Sequence, residues 1–177
     1  MGRSLRDFTS RRTFHEKIKL ALWILVNKSL VRNVFMPTRF RKTLLRLFGA
    51  RIGPRVILRS SVMIQFPWNI EIGADCWIGE HVWFINHEEI KLGTNVCISQ
   101  RSIICSGGHD YRSTSLEYAH KPIEIKDGAW VCLDAKVLPG VTIGECSVVS
   151  AGEVARKSIP DYSILVGGEI RPIDPPK

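Results

Sequence analysis

The chain has 177 residues, of which 45% are hydrophobic and 24% are charged, so it is long enough to bury the core of one domain. Its 14 Gly and 9 Pro residues exclude collagen-like, mucin-like and fully disordered proteins. The net charge of +8 is unevenly placed, because residues 1–55 hold 14 basic and two acidic residues. Such a basic segment favours an anionic partner: a membrane surface, a nucleic acid or a phosphorylated ligand.

Cysteine usage and hydropathy bear on the cellular location. The five cysteines stand at spacings that match no zinc or redox motif, which is typical of reduced side chains in a reducing compartment. No secretory signal opens the chain, and the apolar run from Leu20 to Val26 is seven residues long, whereas a spanning helix needs about 20. We expect a cytoplasmic protein whose only membrane association is peripheral contact at the inner membrane.

Residues 1–50 are predicted to form a basic amphipathic helical segment. Between 14 and 48 apolar residues recur at helical spacing with Lys and Arg between them, Pro37 interrupts the pattern, and a second short helix ends at Gly49. Two interpretations stay open. The segment docks on anionic lipid, or it covers the end of the domain that follows.

From residue 51 the chain shows a six-residue period, which is neither helical nor strand-like. Such a repeat predicts an all-β solenoid in which three hexads close one triangular coil and the coils stack through parallel ladders about 4.8 Å apart. The period slips by two residues before Ile72 and Leu92, which we interpret as bulged corners. Interior aliphatic or aromatic residues are predicted at Ile52, Leu58, Ile64, Ile72, Ile78, Phe84, Leu92, Ile98, Ile104, Ile125, Val131, Val137, Ile143 and Val149.

The pattern lapses between Ile104 and Ile125, which predicts an external loop over about 105–122. Long loops on a rigid scaffold commonly carry function. The predicted domain organisation is therefore the helical segment at 1–50, the β-solenoid at 51–166 and a C-terminal tail at 167–177.

The hexads resemble the hexapeptide-repeat acetyltransferases. The segments 65–68 (QFPW), 97–100 (CISQ) and 107–111 (GGHDY), with the basic helix before them, look most like the colanic acid biosynthesis acetyltransferases of bacterial exopolysaccharide clusters. The resemblance implies a left-handed parallel β-helix with an N-terminal α-helical segment. It also implies O-acetyl transfer from acetyl-CoA to a sugar hydroxyl of an exopolysaccharide or its lipid-linked precursor.

This chemistry needs a base for the hydroxyl proton, and histidine has the suitable unperturbed pKa. Among five histidines, His109 lies where the coil opens into the loop, after two glycines that leave room for a ligand. With the resemblance, His109 becomes the predicted catalytic base. Asp110, Glu88 and Glu89 are equal candidates for orienting its ring.

The resemblance also implies the remaining site residues. Asn86 matches a position that helps bind the acceptor or the acetyl group, and Trp130 matches an aromatic position beside the acyl-carrier groove. Asn86 also suits a corner residue with left-handed backbone, and Trp130 also suits an exposed stacking position on the coil. Ala151, Arg156, Lys157 and Arg171 match positions that bind the acyl carrier, and no metal is required. A homotrimer is implied, and Trp77, Trp83 and Phe84 are large side chains for the surface of a monomer.

Two other function classes are alternatives to acetyl transfer. A zinc hydratase of the γ-carbonic anhydrase type needs three histidine ligands, and beyond His81 and His109 no third falls at a convincing spacing. A non-catalytic solenoid adaptor is the other alternative. We expect no nucleic-acid partner, because no helix-turn-helix, RNP or zinc motif supports one.

Overall fold

The computed structural model describes residues 13–110, 112–113 and 115–175. Tyr111 of the GGHDY motif, the first 12 residues of the predicted helical segment and the last two residues of the predicted tail lie outside this range. The described chain opens with helix α1 (Phe14–Val26), one π-helical turn (Asn27–Val31) and helix α2 (Thr38–Leu47). Thr13 and Glu16 cap α1 reciprocally, the side chain of each bonding to the backbone N–H of the other. Within the described residues no helix combines the length and hydrophobicity needed to cross a bilayer.

The helices pack against the first coils of the solenoid. Trp23 is 1% exposed, and its indole N–H donates to the Gln65 carbonyl at 3.0 Å. The buried Arg41 guanidinium donates to the carbonyls of Val31 and Leu58, among others, and burial lowers its pKa from the usual value. One face of the segment therefore covers the end of the solenoid, as one of the two interpretations predicts.

The solenoid consists of short strands separated by corners. Its strands are β1 (Arg51–Ile52), β2 (Ile57–Leu58), β3 (Met63–Ile64), β4 (Ile70–Ile72), β5 (Trp77–Ile78), β6 (Trp83–Ile85), β7 (Ile90–Leu92), β8 (Cys97–Ile98), β9 (Ile103–Cys105), β10 (Ile123–Ile125), β11 (Trp130–Val131), β12 (Lys136–Val137), β13 (Thr142–Ile143), β14 (Val148–Val149), β15 (Val154–Ala155), β16 (Ser163–Val166) and β17 (Glu169–Pro172). A 3-10 helix (Pro67–Asn69) precedes β4.

Three parallel sheets form the sides of a triangular prism. Sheet A has the order β1-β4-β7-β10-β13, sheet B begins at β2 and runs through β5, β8, β11, β14 and β16, and sheet C has the order β3-β6-β9-β12-β15. Each coil visits A, B and C in turn, so equivalent residues stack, as Ile52 does on Ile72. The predicted all-β solenoid with a helical N-terminal segment is confirmed.

The interior contains every residue that the hexad period predicts for it. All fourteen are buried, from Ile52 at 8% exposed to residues with no exposed surface. Phe84 belongs to this set with 0% exposure, so the expectation that it also lies on an outer face is wrong. Trp83, its neighbour in β6, points outward and is 40% exposed.

Each corner has two positions with different backbone requirements. Gly73 follows an interior residue, and a Cβ there would lie 2.3 Å from the Gly93 carbonyl oxygen of the next coil. Such glycines are required by close stacking of backbones. Positive φ falls two residues later, at Asp75 and Asn95 for example. Short polar residues tolerate that conformation.

The C-terminal residues differ from the predicted tail. Strand β17 pairs antiparallel with β16 and extends sheet B by one strand, with Ile164 opposite Arg171. All five cysteines are free thiols, and burial raises the pKa of Cys76. The domain boundaries themselves stay a prediction.

Candidate active site

The three edges of the prism are not equivalent. Within each coil, successive interior residues keep a six-residue spacing, whereas from one coil to the next the spacing is eight, eight, 21 and six residues. All irregularity thus falls on the edge where the chain leaves sheet C and enters sheet A, which we call the insertion edge. It comprises the corners 65–69, 86–89, 106–122 and 138–141 and the residues after β15.

His109 lies on this edge, in the loop that follows β9. Its ring is exposed, and its Nδ1 lies 2.8 Å from the Leu116 carbonyl oxygen. Because a carbonyl only accepts hydrogen bonds, Nδ1 carries the proton and Nε2 of the neutral ring keeps a lone pair. The orienting group is thus a backbone carbonyl. Of the three candidate carboxylates, Asp110 accepts from the Arg112 N–H and Glu89 from Arg51.

A second histidine supports the backbone before His109. His120 Nδ1 lies 3.0 Å from the Gly108 N and accepts its N–H. The ring stacks on His87 with centroids 4.5 Å apart and lies 6.4 Å from His109. Burial lowers the pKa of His120, Glu88 opposes that shift, and His109 adds to it. The neutral form, which can accept the Gly108 bond, is therefore favoured.

Asn86 is buried at the adjacent corner of the same edge. Its side-chain oxygen accepts the Phe66 N–H, and its Nδ2 donates to the carbonyls of Phe66 and Asn69. The side chain has 0% exposure, and Asn86 is absent from the residues with positive φ. The structure thus gives Asn86 a role in holding the Phe66–Asn69 segment, and contact with an acceptor stays a prediction.

A cavity of about 290 Å³ lies between helix α1 and the first two corners of the insertion edge. Its walls combine aromatic rings with charged and amide groups, and Lys19 Nζ lies 4.2 Å from the centroid of a Trp68 ring. The lining residues are Glu16, Lys19, Leu20, Phe66, Trp68, Asn69 and His87.

The predicted carrier-binding residues are divided among three places. Arg156 and Lys157 follow β15 on the insertion edge and line a second cavity, of about 380 Å³, with the β16–β17 hairpin. Ala151 is at the corner between sheets B and C, and Arg171 lies on β17, bonded to Glu169. Adjacent strands lie about 4.8 Å apart, so the ends of β9 and β15, with β12 between them, are about 10 Å apart. His109 and the Arg156–Lys157 pair therefore share one edge.

Trp130 is not brought to His109 within one chain. It lies on the outer face of sheet B, opposite the insertion edge, and is 47% exposed. Its indole N–H donates to Ser99 Oγ at 2.8 Å. A role for Trp130 beside the carrier stays a prediction and requires a second subunit. Among the described residues, no group of three His, Cys, Asp or Glu side chains is placed to hold a metal ion.

The contacts around His109 are not predicted from the sequence. The structure adds His120 and His87, together with the aromatic residues Phe66 and Trp68 of the QFPW segment. The available signal was the phase of the hexads, because each slip or lapse in the period marks a corner of the insertion edge.

Comparisons with known proteins identify close relatives. The protein named "Putative colanic acid biosynthesis acetyltransferase WcaF" of Escherichia coli (strain K12) is 40% identical over 153 residues, which cover 85% of this chain and 83% of that protein. The galactoside O-acetyltransferase of the same strain is 27% identical over 75% of this chain and 67% of that protein. No family model matches the chain.

Solved structures show the same architecture. A hexapeptide-repeat acetyltransferase of Vibrio cholerae in complex with acetyl coenzyme A has a TM-score of 0.81 at 23% identity, covering 92% of this chain and 89% of that one. A galactoside acetyltransferase in complex with coenzyme A has a TM-score of 0.80 at 22% identity, covering 92% and 82%. These likenesses show the fold, the left-handed parallel β-helix that the resemblance implies.

Proposed function

Because this chain belongs to the hexapeptide-repeat acetyltransferases, we propose that it moves an acetyl group from acetyl-CoA to a sugar hydroxyl. The acceptor is a bacterial exopolysaccharide of the colanic acid type or its lipid-linked precursor. The name of the relative at 40% identity supports the acceptor class, and the complexes of fold neighbours with coenzyme A or acetyl-CoA support the donor.

The observation that carries the mechanism is the exposed His109 residue, whose ring is held through Nδ1 by the Leu116 carbonyl. His109 Nε2 accepts the proton of the sugar hydroxyl while the hydroxyl oxygen attacks the thioester carbonyl. The proton then passes to the sulfur as the carbon–sulfur bond breaks, which leaves an acetyl ester and free CoA thiol. A base positioned in this way typically contributes about 10²–10⁴-fold to the rate.

The edge that bears His109 also provides cations for the donor. Arg156 and Lys157 suit the phosphates of CoA, because both are exposed and extend from the insertion edge about two strands from β9. Gly152 and Gly168 line the same cavity, where the absence of side chains leaves room for a ligand. Ala151 and Arg171 complete the proposed set from neighbouring corners.

We propose that the protein forms a homotrimer through sheets B and C. The outward residues of sheet A are charged apart from Thr142 and form ion pairs such as Arg51–Glu71, which suits a face in solvent. Those of sheets B and C include Ile57, Trp83 and Trp130, each at least 40% exposed. Three faces closing on one another would bury these side chains. Sedimentation that returns a monomer would contradict the proposal.

We also propose that the N-terminal segment contacts an anionic membrane peripherally. Phe14, Ile18 and Leu25 lie on the side of α1 opposite the buried Trp23, Leu22 lies beside them, and each of the four is at least 44% exposed. Exposed basic residues follow at Lys28, Arg32 and Arg39. An apolar stripe beside cations suits an anionic bilayer surface. Flotation with phosphatidylglycerol vesicles, but not with phosphatidylcholine vesicles, is the expected result, and no flotation with either overturns it.

Mass spectrometry of the host's extracellular polysaccharide tests the proposed reaction. Strains with the wild-type protein, with none and with His109→Ala should be compared. We expect one acetyl group per repeat unit to be missing in the second and third strains. An unchanged polysaccharide in the strain lacking the protein would contradict the proposed function.

A further inference from the structure

The loop that carries His109 folds back on itself, so that His109 lies opposite Tyr118 in an isolated antiparallel bridge. The two backbone hydrogen bonds that flank this pair, at 2.8 and 2.9 Å, run from the N–H of Asp110 to Glu117 and from the N–H of Ala119 to Gly108. The pair itself exchanges no backbone bond, and in such pairs the two side chains lie on one face at the closest approach that an antiparallel ladder offers. The backbone therefore places the Tyr118 side chain beside the His109 ring.

The Tyr118 ring lies along one side of the His109 imidazole. The two ring centroids are 5.1 Å apart and the ring planes are inclined by 34°, which is closer to stacked than to edge-on. A cation over an aromatic face, within about 6 Å of the ring centroid, is attracted by the negative charge of that face. His109 is neutral before the reaction and becomes a cation while it holds the proton of the acceptor hydroxyl. Tyr118 therefore meets a charge that exists only during the transfer.

The other groups around His109 are compatible with this charge. His120 lies 6.4 Å from His109 and 4.7 Å from Tyr118. Burial lowers the pKa of His120, so its neutral form is favoured and it adds no second positive charge. The Leu116 carbonyl lies 2.8 Å from His109 Nδ1 and stabilises the charged ring from its edge. His109 is thus supported at its edge by a carbonyl and along its face by Tyr118.

We propose that Tyr118 is a positioning residue for acetyl transfer, which holds the His109 ring by its face and stabilises the protonated ring in the transition state. The proposal rests on the proposed role of His109 as the base. Because the contact is stronger in the transition state than in the ground state, it raises kcat and leaves KM unchanged. Tyr118 is 50% exposed, so we expect the contribution of a partly hydrated cation–π contact, about three- to tenfold in kcat.

The test compares Tyr118→Phe with Tyr118→Leu. Phenylalanine keeps the ring face and loses the hydroxyl, whereas leucine keeps an apolar side chain without an aromatic face. With acetyl-CoA and deacetylated oligosaccharides of the host polysaccharide, we expect Tyr118→Phe to turn over within about twofold of the wild type. Tyr118→Leu should lower kcat by about three- to tenfold at unchanged KM and unfolding midpoint. An equal loss in both variants, or no loss in Tyr118→Leu, overturns the role of the ring face.

A series of fluorinated phenylalanines at position 118 separates charge stabilisation from packing. Each added fluorine withdraws electron density from the ring face and changes the shape of the ring little, so it weakens the attraction for a cation. We expect the logarithm of kcat to fall steadily from Tyr118→Phe through the mono-, tri- and pentafluorinated rings. A kcat that stays constant along the series shows that Tyr118 only packs against His109, which overturns the proposal.

Failure of the proposed function gives a different result from failure of the Tyr118 proposal. Wild-type protein that transfers no acetyl group, or His109→Asn protein that transfers it at the wild-type rate, rejects the proposed function and the role of Tyr118 with it. Activity that is lost in His109→Asn but is unaffected by every change at Tyr118 rejects the role of Tyr118 alone.

Discussion

The regular corners of the prism and the insertion edge both turn the chain from one sheet into the next, but they differ in length and in the residues they contain. Corners between sheets A and B, and between B and C, are four residues long and repeat with each coil. The insertion edge varies in length, and it holds His109, His120, Asn86 and the aromatic cavity. The difference teaches that the repeat builds a rigid support, while departures from the repeat place the chemistry.

The sharpest test of this division removes an interior side chain. Phe84→Ala should destabilise the fold by about 3–5 kcal/mol, because the ring is fully buried and the stacked coils cannot collapse around the space. Denaturant unfolding measures the change. Folded variant protein should keep its KM values, since Phe84 faces the interior of the prism.

The matched change is Trp83→Ala, one residue away on the outer face of the same strand. Its side chain is 40% exposed, so the stability of a single folded chain should change little, while association of chains weakens. If the two variants lose equal stability without any change in association, the assignment of inner and outer faces to interior and interface is wrong.

A smaller effect is expected from Asn86→Ala, which removes the amide that holds the Phe66–Asn69 corner. Three hydrogen bonds to buried backbone groups are lost, at a cost of about 1–3 kcal/mol. KM for the acceptor should also rise, because the family resemblance places Asn86 on the acceptor side of the site. Unfolding and acceptor kinetics measure the two effects.

The control for Asn86 is Ser102→Ala at a regular corner. Ser102 is equally buried and its hydroxyl donates to the Cys132 carbonyl at 2.8 Å. Stability should fall by about 1 kcal/mol with no change in KM. A KM effect as large as that of Asn86→Ala would remove the distinction between the insertion edge and the other corners.

The smallest expected effect is a pH dependence at His120. Its pKa is lowered from the usual 6.5, mainly by burial, so the native state favours the neutral ring. The resulting stability is present above about pH 6.5 and is lost as the pH falls through the lower pKa of the folded protein. Protonated Nδ1 cannot accept the Gly108 N–H, so the backbone before His109 loosens in acid.

His120→Asn separates this titration from the hydrogen bond. The asparagine oxygen accepts the Gly108 N–H at every pH, so exchange of that amide should lose its dependence on acid, whereas His120→Phe should leave it unprotected throughout. The groups that face His120 are Glu88, His87, His109 and Tyr118, and NMR titration of the rings assigns each transition. Unchanged acid dependence in His120→Asn would contradict the assignment.

The fold could be predicted from the sequence because residues at the same place in each hexad have the same local environment. Ile78 and Val131 are interior for the same reason, six residues from an equivalent corner, so one pattern fixes many positions. The antiparallel strand β17 was not predicted, because it forms only through pairing with β16 and repeats nothing.

The site was only partly accessible. His109 was found through its neighbouring glycines and the family resemblance, but the Leu116 carbonyl that orients it has no side-chain signature. The contact of His120 with Gly108 depends on how the loop folds back over 12 residues. Loop geometry of this kind is set by tertiary packing, which periodicity cannot report.

The most direct test of the account is the turnover number of His109→Asn in acetyl transfer, measured beside its affinity for acetyl-CoA and its unfolding midpoint. We expect kcat to fall by about 10²–10⁴-fold while acetyl-CoA affinity and stability match those of the wild type. A variant that is folded, binds the donor and turns over at the wild-type rate would show that the exposed imidazole takes no proton from the acceptor.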